Sequence, residues 1–244
     1  MVSAGSAGGS AGAVAELQAG VAFWRSKLAV GWPADFHNAD YQKWGQEPRT
    51  FSDAWWVPFR RRLHDWVALR PATYEEVTAR FVARRQAIID AWARHCDPYA
   101  GCAITAVSWE QVGPFADLVG EIKPMRGLAS PVFTSKFCHF LLPKVFPVVD
   151  NEGSGNRWPH YRDYFLRVQD IWRQTPAATQ GALVDMMAAE VARSGVGPHP
   201  EFPMVNKIVE LRLIGRQQMG SGPPPSPPPA PNLPPNPPAA ATAP

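Results

Sequence analysis

The sequence lacks most of the features that would assign it to a class directly. It has only three cysteines, Cys96, Cys102 and Cys138, in 244 residues. An odd count without paired metal-ligand spacing argues against a disulfide scaffold and for a reducing compartment. His95 and Cys96 with Cys102, or Cys138 with His139, have no standard zinc spacing, so neither a metal nor any other cofactor is expected. The formal net charge is only +3, too mild by itself to establish a nucleic-acid partner. No run reaches about 18 apolar residues, so no membrane span is expected. The first residues lack a basic region followed by an apolar run, so no secretory signal is expected and a cytoplasmic location is the default. Strand-like alternation never extends beyond a few residues, and no fixed-period repeat is present. The phosphate-binding loop, the dinucleotide fingerprint, His-Glu-x-x-His and Gly-x-Ser-x-Gly are all missing. Residues 150–157 hold acids and glycines but lack the final Glu and alternating oxygens of a calcium loop.

Proline and large aromatics are plentiful: 27 Pro, 10 Trp and 12 Phe. Much of the proline sits in residues 219–244, with runs at Pro223–Pro225 and Pro227–Pro229. Proline fixes φ and lacks an amide donor, so this tail is expected to be disordered and extended, outside any packed domain. Its plainest role is a solubilising extension; docking onto an aromatic-groove domain is a further reading. Residues 1–12 are Gly, Ala and Ser with almost no core-forming side chain and are expected to be disordered too. Residues 13–218 remain, enough for one core.

Within them the apolar spacing is helical. Val14, Leu17, Val21, Trp24 and Leu28 predict a helix over 13–29. Residues 33–51 read as an ordered loop. Pro58 suits the first turn of a helix running to about Leu69. Thr73 and Glu76 have the spacing of a capping box, followed by a long helix to Arg94. Ser108 opens a helix expected to break at Gly113–Pro114 and resume to Glu121. Further helices are expected over 131–142, 158–174, 176–194 and 204–217. The fold class is therefore all-α, a single multi-helix domain.

The segment with most chemistry runs from Met125 to Asp150. A glycine-containing turn leads into a helix with Ser135, Lys136 and His139, and a Pro-Val-Val-Asp loop follows. Lys136 and His139 are three apart and share a helix face. The pattern Ser135, Lys136, His139, Phe140, Pro143, Phe146, Pro147 and Asp150 resembles the helix-hairpin-helix DNA glycosylase superfamily. It is closer still to uncharacterised bacterial proteins with Ser-Lys-x-x-His-Phe, then Pro, then Phe-Pro-x-x-Asp.

That resemblance implies a glycosylase-like fold, a DNA partner and a role in base excision. It gives Asp150 the part of the superfamily's aspartate, stabilising the positive charge that develops on the sugar as the base departs. Bifunctional members carry a lysine near the start of the helix. Val132 or Phe133 stands there, and neither forms a Schiff base, so the implied activity is monofunctional. The superfamily hairpin usually carries Gly-x-Gly, whereas this chain has Gly127-Leu128-Ala129-Ser130. Candidate nucleic-acid contacts are Lys123 and Arg126 beside the hairpin, Ser135, Lys136 and His139 on the helix, and Trp158 beyond the loop. Trp158, Tyr161 and Trp109 are candidate stackers for a flipped base. Arg60–Arg62 and Arg84–Arg85 read as solvated faces or phosphate contacts. The alternative is a non-catalytic helical nucleic-acid- or protein-binding module in which Ser135, Lys136, His139 and Asp150 are structural. Whether the chain is an enzyme stays open at this point, and oligomeric state is not legible.

Overall fold

The computed structural model describes residues 6–125, 128–150 and 158–220. Among these there are nine α-helices. They are α1 Ser6–Ser26, α2 Asn38–Gln46, α3 Asp53–Asp65, α4 Tyr74–His95, α5 Trp109–Gly120, α6 Pro131–Leu141, α7 Tyr161–Arg173, α8 Ala177–Ala192 and α9 Met204–Gly220. Strands β1 Pro124–Met125 and β2 Leu128–Ala129 form a two-residue antiparallel ladder, with Pro124 opposite Ala129 and Met125 opposite Leu128. The expected all-helical class therefore holds. The segments 1–5 and 221–244, including almost all of the Pro-rich tail, lie outside the described residues.

Several boundaries differ from expectation. Helix α1 begins at Ser6 rather than Ala13, and Ser10 Oγ meets Thr179 Oγ1 of α8 at 2.6 Å. Its small-residue start is thus used for packing. Residues 33–51 contain α2, which the loop reading missed. Phe36 and His37 both have positive φ, and the Asp35 carboxylate accepts from the amides of His37 and Ala39. Asp35 thereby satisfies donors that the turn leaves open at the helix start. Helix α3 starts at Asp53, where Ser52 Oγ accepts from Trp55 N, and exposed Pro58 lies inside it. The Thr73–Glu76 capping box forms as the spacing predicts, with bonds of 3.2 and 3.0 Å. Helix α5 runs unbroken through Gly113–Pro114. Pro114 is exposed, and a Cβ at Gly113 would collide with the Trp109 ring.

One buried cluster links all the helices. Helices α1 and α9 make the most extensive pairing. A Cβ at Gly20 would overlap the Leu211 carbonyl, and one at Gly215 would overlap the Glu16 carbonyl, so the two backbones are in direct contact. Arg212 and Arg216 both bond the Glu16 carboxylate across this pair.

Helix α6 is the centre of the molecule. Ser130 caps it by accepting from Phe133 N, Pro131 fills a first-turn position, and α2, α3, α5 and α7 surround it. The apolar stripe of Phe133, Phe137, Phe140 and Leu141 is buried, but so are Thr134, Ser135 and His139 on its other faces. Of these polar side chains, Ser135 and His139 bond backbone groups, whereas the buried Thr134 hydroxyl has no hydrogen-bond partner.

Candidate functional site: a locked loop and a buried ionic layer

The loop from Pro143 to Asp150 is pinned at almost every step. Asn206 Nδ2 donates to Pro143 O at 2.7 Å, and Ile104 N to Lys144 O at 2.8 Å. Phe146 N returns to Leu142 O at 2.9 Å. His139 Nδ1 lies 2.7 Å from Phe146 O, and Tyr161 Oη donates to Pro147 O at 2.9 Å. Val149 N donates to Ser135 Oγ at 3.0 Å, and that hydroxyl donates to Val132 O at 3.1 Å. Val145, Phe146, Val148 and Val149 are buried. The loop is therefore an ordered arm that ends in half-buried Asp150.

His139 is 1 % exposed. A carbonyl only accepts, so Nδ1 carries the proton toward Phe146 and Nε2 accepts from Tyr41 Oη at 2.9 Å. That arrangement requires neutral imidazole. Burial pulls the His139 pKa from 6.5 to about 3, against the opposing pull of the Phe146 carbonyl. Burial likewise pushes the Tyr41 phenol well above its ordinary value.

Charged groups meet below this arm. Lys207 Nζ and Glu210 Oε2 are 2.8 Å apart on α9, with the two residues 2 % and 8 % exposed. Burial raises the Glu210 pKa above the usual carboxylate range. Lys207 opposes the shift, while Asp150 adds to it and Lys136 counters it more weakly. Tyr164 is raised by burial first, then by Glu210 and Asp150. Asp150 and Lys136 therefore act on the same buried carboxylate. Lys136 Nζ donates to Trp66 O.

The structure thus brings Ser135, Lys136, His139 and Asp150 into one neighbourhood. Ser135 and His139 use their polar atoms on backbone and shape the loop. Lys123, another candidate contact, is buried. Its Nζ donates to Arg70 O at 2.7 Å, and desolvation, then Lys136, lowers its pKa to about 8. Lys123 and Lys136 together hold the segment 66–70 between α3 and α4. Arg126 lies outside the described residues. The Trp158 ring meets Tyr164 edge-on at 5.3 Å, which puts it one residue away from the groups that feel Asp150. Its buried Nε1 has no hydrogen-bond partner. Trp109 and Tyr161 are buried against each other and serve the core.

The sequence reading gave no role to Tyr41 or Lys207. Tyr41 lay in the unrecognised α2. The i,i+3 spacing of Lys207 and Glu210 was a usable signal, since both sit among the apolar residues Val205, Ile208, Val209 and Leu211. Among the described residues, no group of three or more His, Cys, Asp or Glu could hold a metal ion. No helix among them is long and apolar enough to cross a membrane. No family model, curated protein or solved structure matches this chain.

Proposed function

We propose that this chain is a DNA-binding protein of glycosylase-like fold that performs monofunctional base excision with Asp150. The supporting observation is the locked arm. Bonds from α6, α7, α9 and residue Ile104 fix the backbone that carries one carboxylate to the edge of a buried ionic layer. A preorganised carboxylate suits a reaction in which positive charge develops on the sugar, because no reorganisation is needed as the charge appears. Helix α6 is followed directly by the Pro143–Asp150 loop, the helix-then-loop arrangement on which the sequence resemblance rests. The nucleotide would leave the duplex to reach Asp150, with Trp158 beside Tyr164 as the near aromatic.

The decisive experiment incubates the full chain with duplexes carrying single damaged bases and measures base release. Release that drops by orders of magnitude in Asp150→Asn supports the reading, and the absence of release from every duplex rejects it. One observation favours a second reading: Ser135 and His139 are buried and bonded to backbone, as in a non-catalytic binding module. Salt-sensitive duplex binding without any excision would decide for that module.

A further inference from the structure

Of the large apolar side chains exposed among the described residues, Val57 and Val82 alone sit in the middle of an α-helix, at 57 % and 47 %. They belong to one face. Asp53 bonds Arg85, Trp56 stacks on Phe81 with centroids 3.9 Å apart, and Arg60 Nη1 donates to Thr78 Oγ1 at 2.8 Å. These links run in opposite directions along α3 and α4, so the two helices lie antiparallel with Val57 level with Phe81. Helical spacing puts Val57 and Val82 on either side of the seam between them. Ala54 and Pro58 extend the exposed surface on α3, and Ala79 and Ala83 extend it on α4. Single exposed apolar residues need no explanation, but a contiguous patch marks an interaction surface. The seam beneath the patch is firmly built: the stacked Trp56 and Phe81 rings are buried, and Thr78 Oγ1 also accepts from Trp56 Nε1 at 3.0 Å.

The charges around this patch are placed symmetrically about its centre. On α3, Asp53 and Arg61 each lie four residues from Val57, about 6 Å to either side along the axis. On α4, Glu75 and Arg85 each lie five residues from Arg80, about 7.5 Å to either side. Arg80 is one residue from the level of Val57. In both helices an acid and a base therefore stand at equal and opposite distances from nearly the same level. Arg61 and Glu75 are exposed at one end and have no ionic partner among the described residues. Asp53 and Arg85 pair with each other at the other end.

We propose that the α3–α4 face is a homodimer interface whose two-fold axis crosses both helices at the level of Val57. A two-fold contact places residue i of one copy on residue j of the other, and j on i. Here it lays α3 antiparallel on α3 of the second copy, and α4 on its α4. Val57 meets its own counterpart, Val82 meets Ala79, Asp53 meets Arg61, and Glu75 meets Arg85. Opposite charges thus face each other four times around an apolar centre. Duplex DNA fits this face poorly, because Asp53 and Glu75 would meet its phosphates and the valines would gain nothing. The face contains no residue of the Ser135–Asp150 motif, so the inference is independent of the excision reading.

The test measures the mass of the full chain by sedimentation over a wide range of concentration. The expected result is a monomer–dimer equilibrium that reaches twice the chain mass. Val57→Glu sets two carboxylates together on the axis and is expected to weaken the dimer roughly tenfold or more, because like charges brought together at an interface are costly. Arg61→Glu is expected to weaken it too. Adding Asp53→Lys to Arg61→Glu is expected to regain part of that loss, since the exchanged charges again face opposite ones. All three positions are exposed, and circular dichroism separates loss of association from loss of folding. A chain that stays monomeric at every concentration overturns the proposal. So does a dimer that Val57→Glu and Arg61→Glu leave intact, which would use another face. A double variant that regains nothing overturns the two-fold pairing. A monomeric chain in which Arg61→Glu instead lowers affinity for duplex DNA would assign the face to nucleic acid.

Discussion

Replacing Ser135 by Ala tests whether the arm carrying Asp150 is held as described. Ser135 is fully buried and provides the acceptor for Val149 N. Alanine removes that acceptor without opening a path for water, so the Val149 amide is left buried and unsatisfied. Such a group costs about 1–3 kcal/mol. Alanine returns up to roughly 0.5 kcal/mol, because it favours helix more than serine. The net loss is about 0.5–2.5 kcal/mol. For a domain of this size each kcal/mol lowers Tm by roughly 2–4 °C, which gives a drop of about 1–10 °C. Thermal and urea unfolding followed by circular dichroism measure it. Ser194→Ala is the matched control, since its hydroxyl also bonds a backbone carbonyl, Val191 O at 2.8 Å, but at the exposed end of α8. That change is expected to stay within about 0.5 kcal/mol. Amide hydrogen exchange adds a local readout: Val149 should exchange faster in Ser135→Ala while the amides of α4 do not. If the two alanine variants melt together, or if Val149 exchange is unchanged, Ser135 does not hold the loop.

Two further predictions concern pH and helix contact. The His139 imidazole stays neutral in the folded protein down to about pH 3 but takes up a proton near 6.5 once unfolded. Between those values the unfolded state binds the extra proton, so stability falls as pH drops, by up to about 1.4 kcal/mol per unit. His37 is shifted the same way, chiefly by burial. Urea midpoints measured from pH 7 to 4 should therefore fall less steeply in His139→Gln than in the parent, and parallel profiles would count against a buried neutral imidazole. At the α1–α9 contact, Gly20→Ala and Gly215→Ala place a methyl against backbone carbonyls that cannot move without parting the helices, and each should cost about 3 kcal/mol or more. Gly181→Ala in α8 has nothing within 4 Å of its new methyl and should stabilise by roughly 0.5–1 kcal/mol. Opposite signs in denaturant melts confirm the contact; equal effects refute it.

Much of the helical layout was legible because period and caps are local. Thr73 with Glu76, and Ser108 ahead of α5, mark starts that need no tertiary information. Helix α2 was hidden because its start uses Asp35, three residues ahead of Asn38 and separated from it by two positive-φ residues, so no standard N-cap precedes the first apolar position. Pro58 and Pro114 misled for the converse reason: both lie on exposed faces of helices whose ends are set elsewhere. For the candidate site, the Ser135–Asp150 spacing showed which residues lie close along the chain but not which partners their side chains take. Whether His139 faces a ligand or a carbonyl depends on where Phe146 O and Tyr41 Oη lie, and Tyr41 is 98 positions away. Lys207 and Glu210 were readable as an i,i+3 pair, but their burial was not, because it depends on α1 and the aromatic residues that cover α9.

The buried polar side chains divide by the kind of partner they have. Ser135, His139, Tyr161, Gln169 and Asn206 each bond backbone groups that would otherwise be buried without partners. Their presence follows from burying an irregular loop, because an unmatched amide or carbonyl costs more than the bond itself contributes. Lys207 and Glu210 are of the other kind. Their main partners are each other, and removing both to apolar residues of similar volume would be roughly neutral or stabilising on general grounds. The arm explains itself through the fold that it completes; the ion pair does not. Asp150 and Lys136 also act electrostatically on the Glu210 carboxylate. The charges of α9 are thereby coupled to the motif on α6 and its loop, so a change at Glu210 is felt by the same groups that the motif brings together.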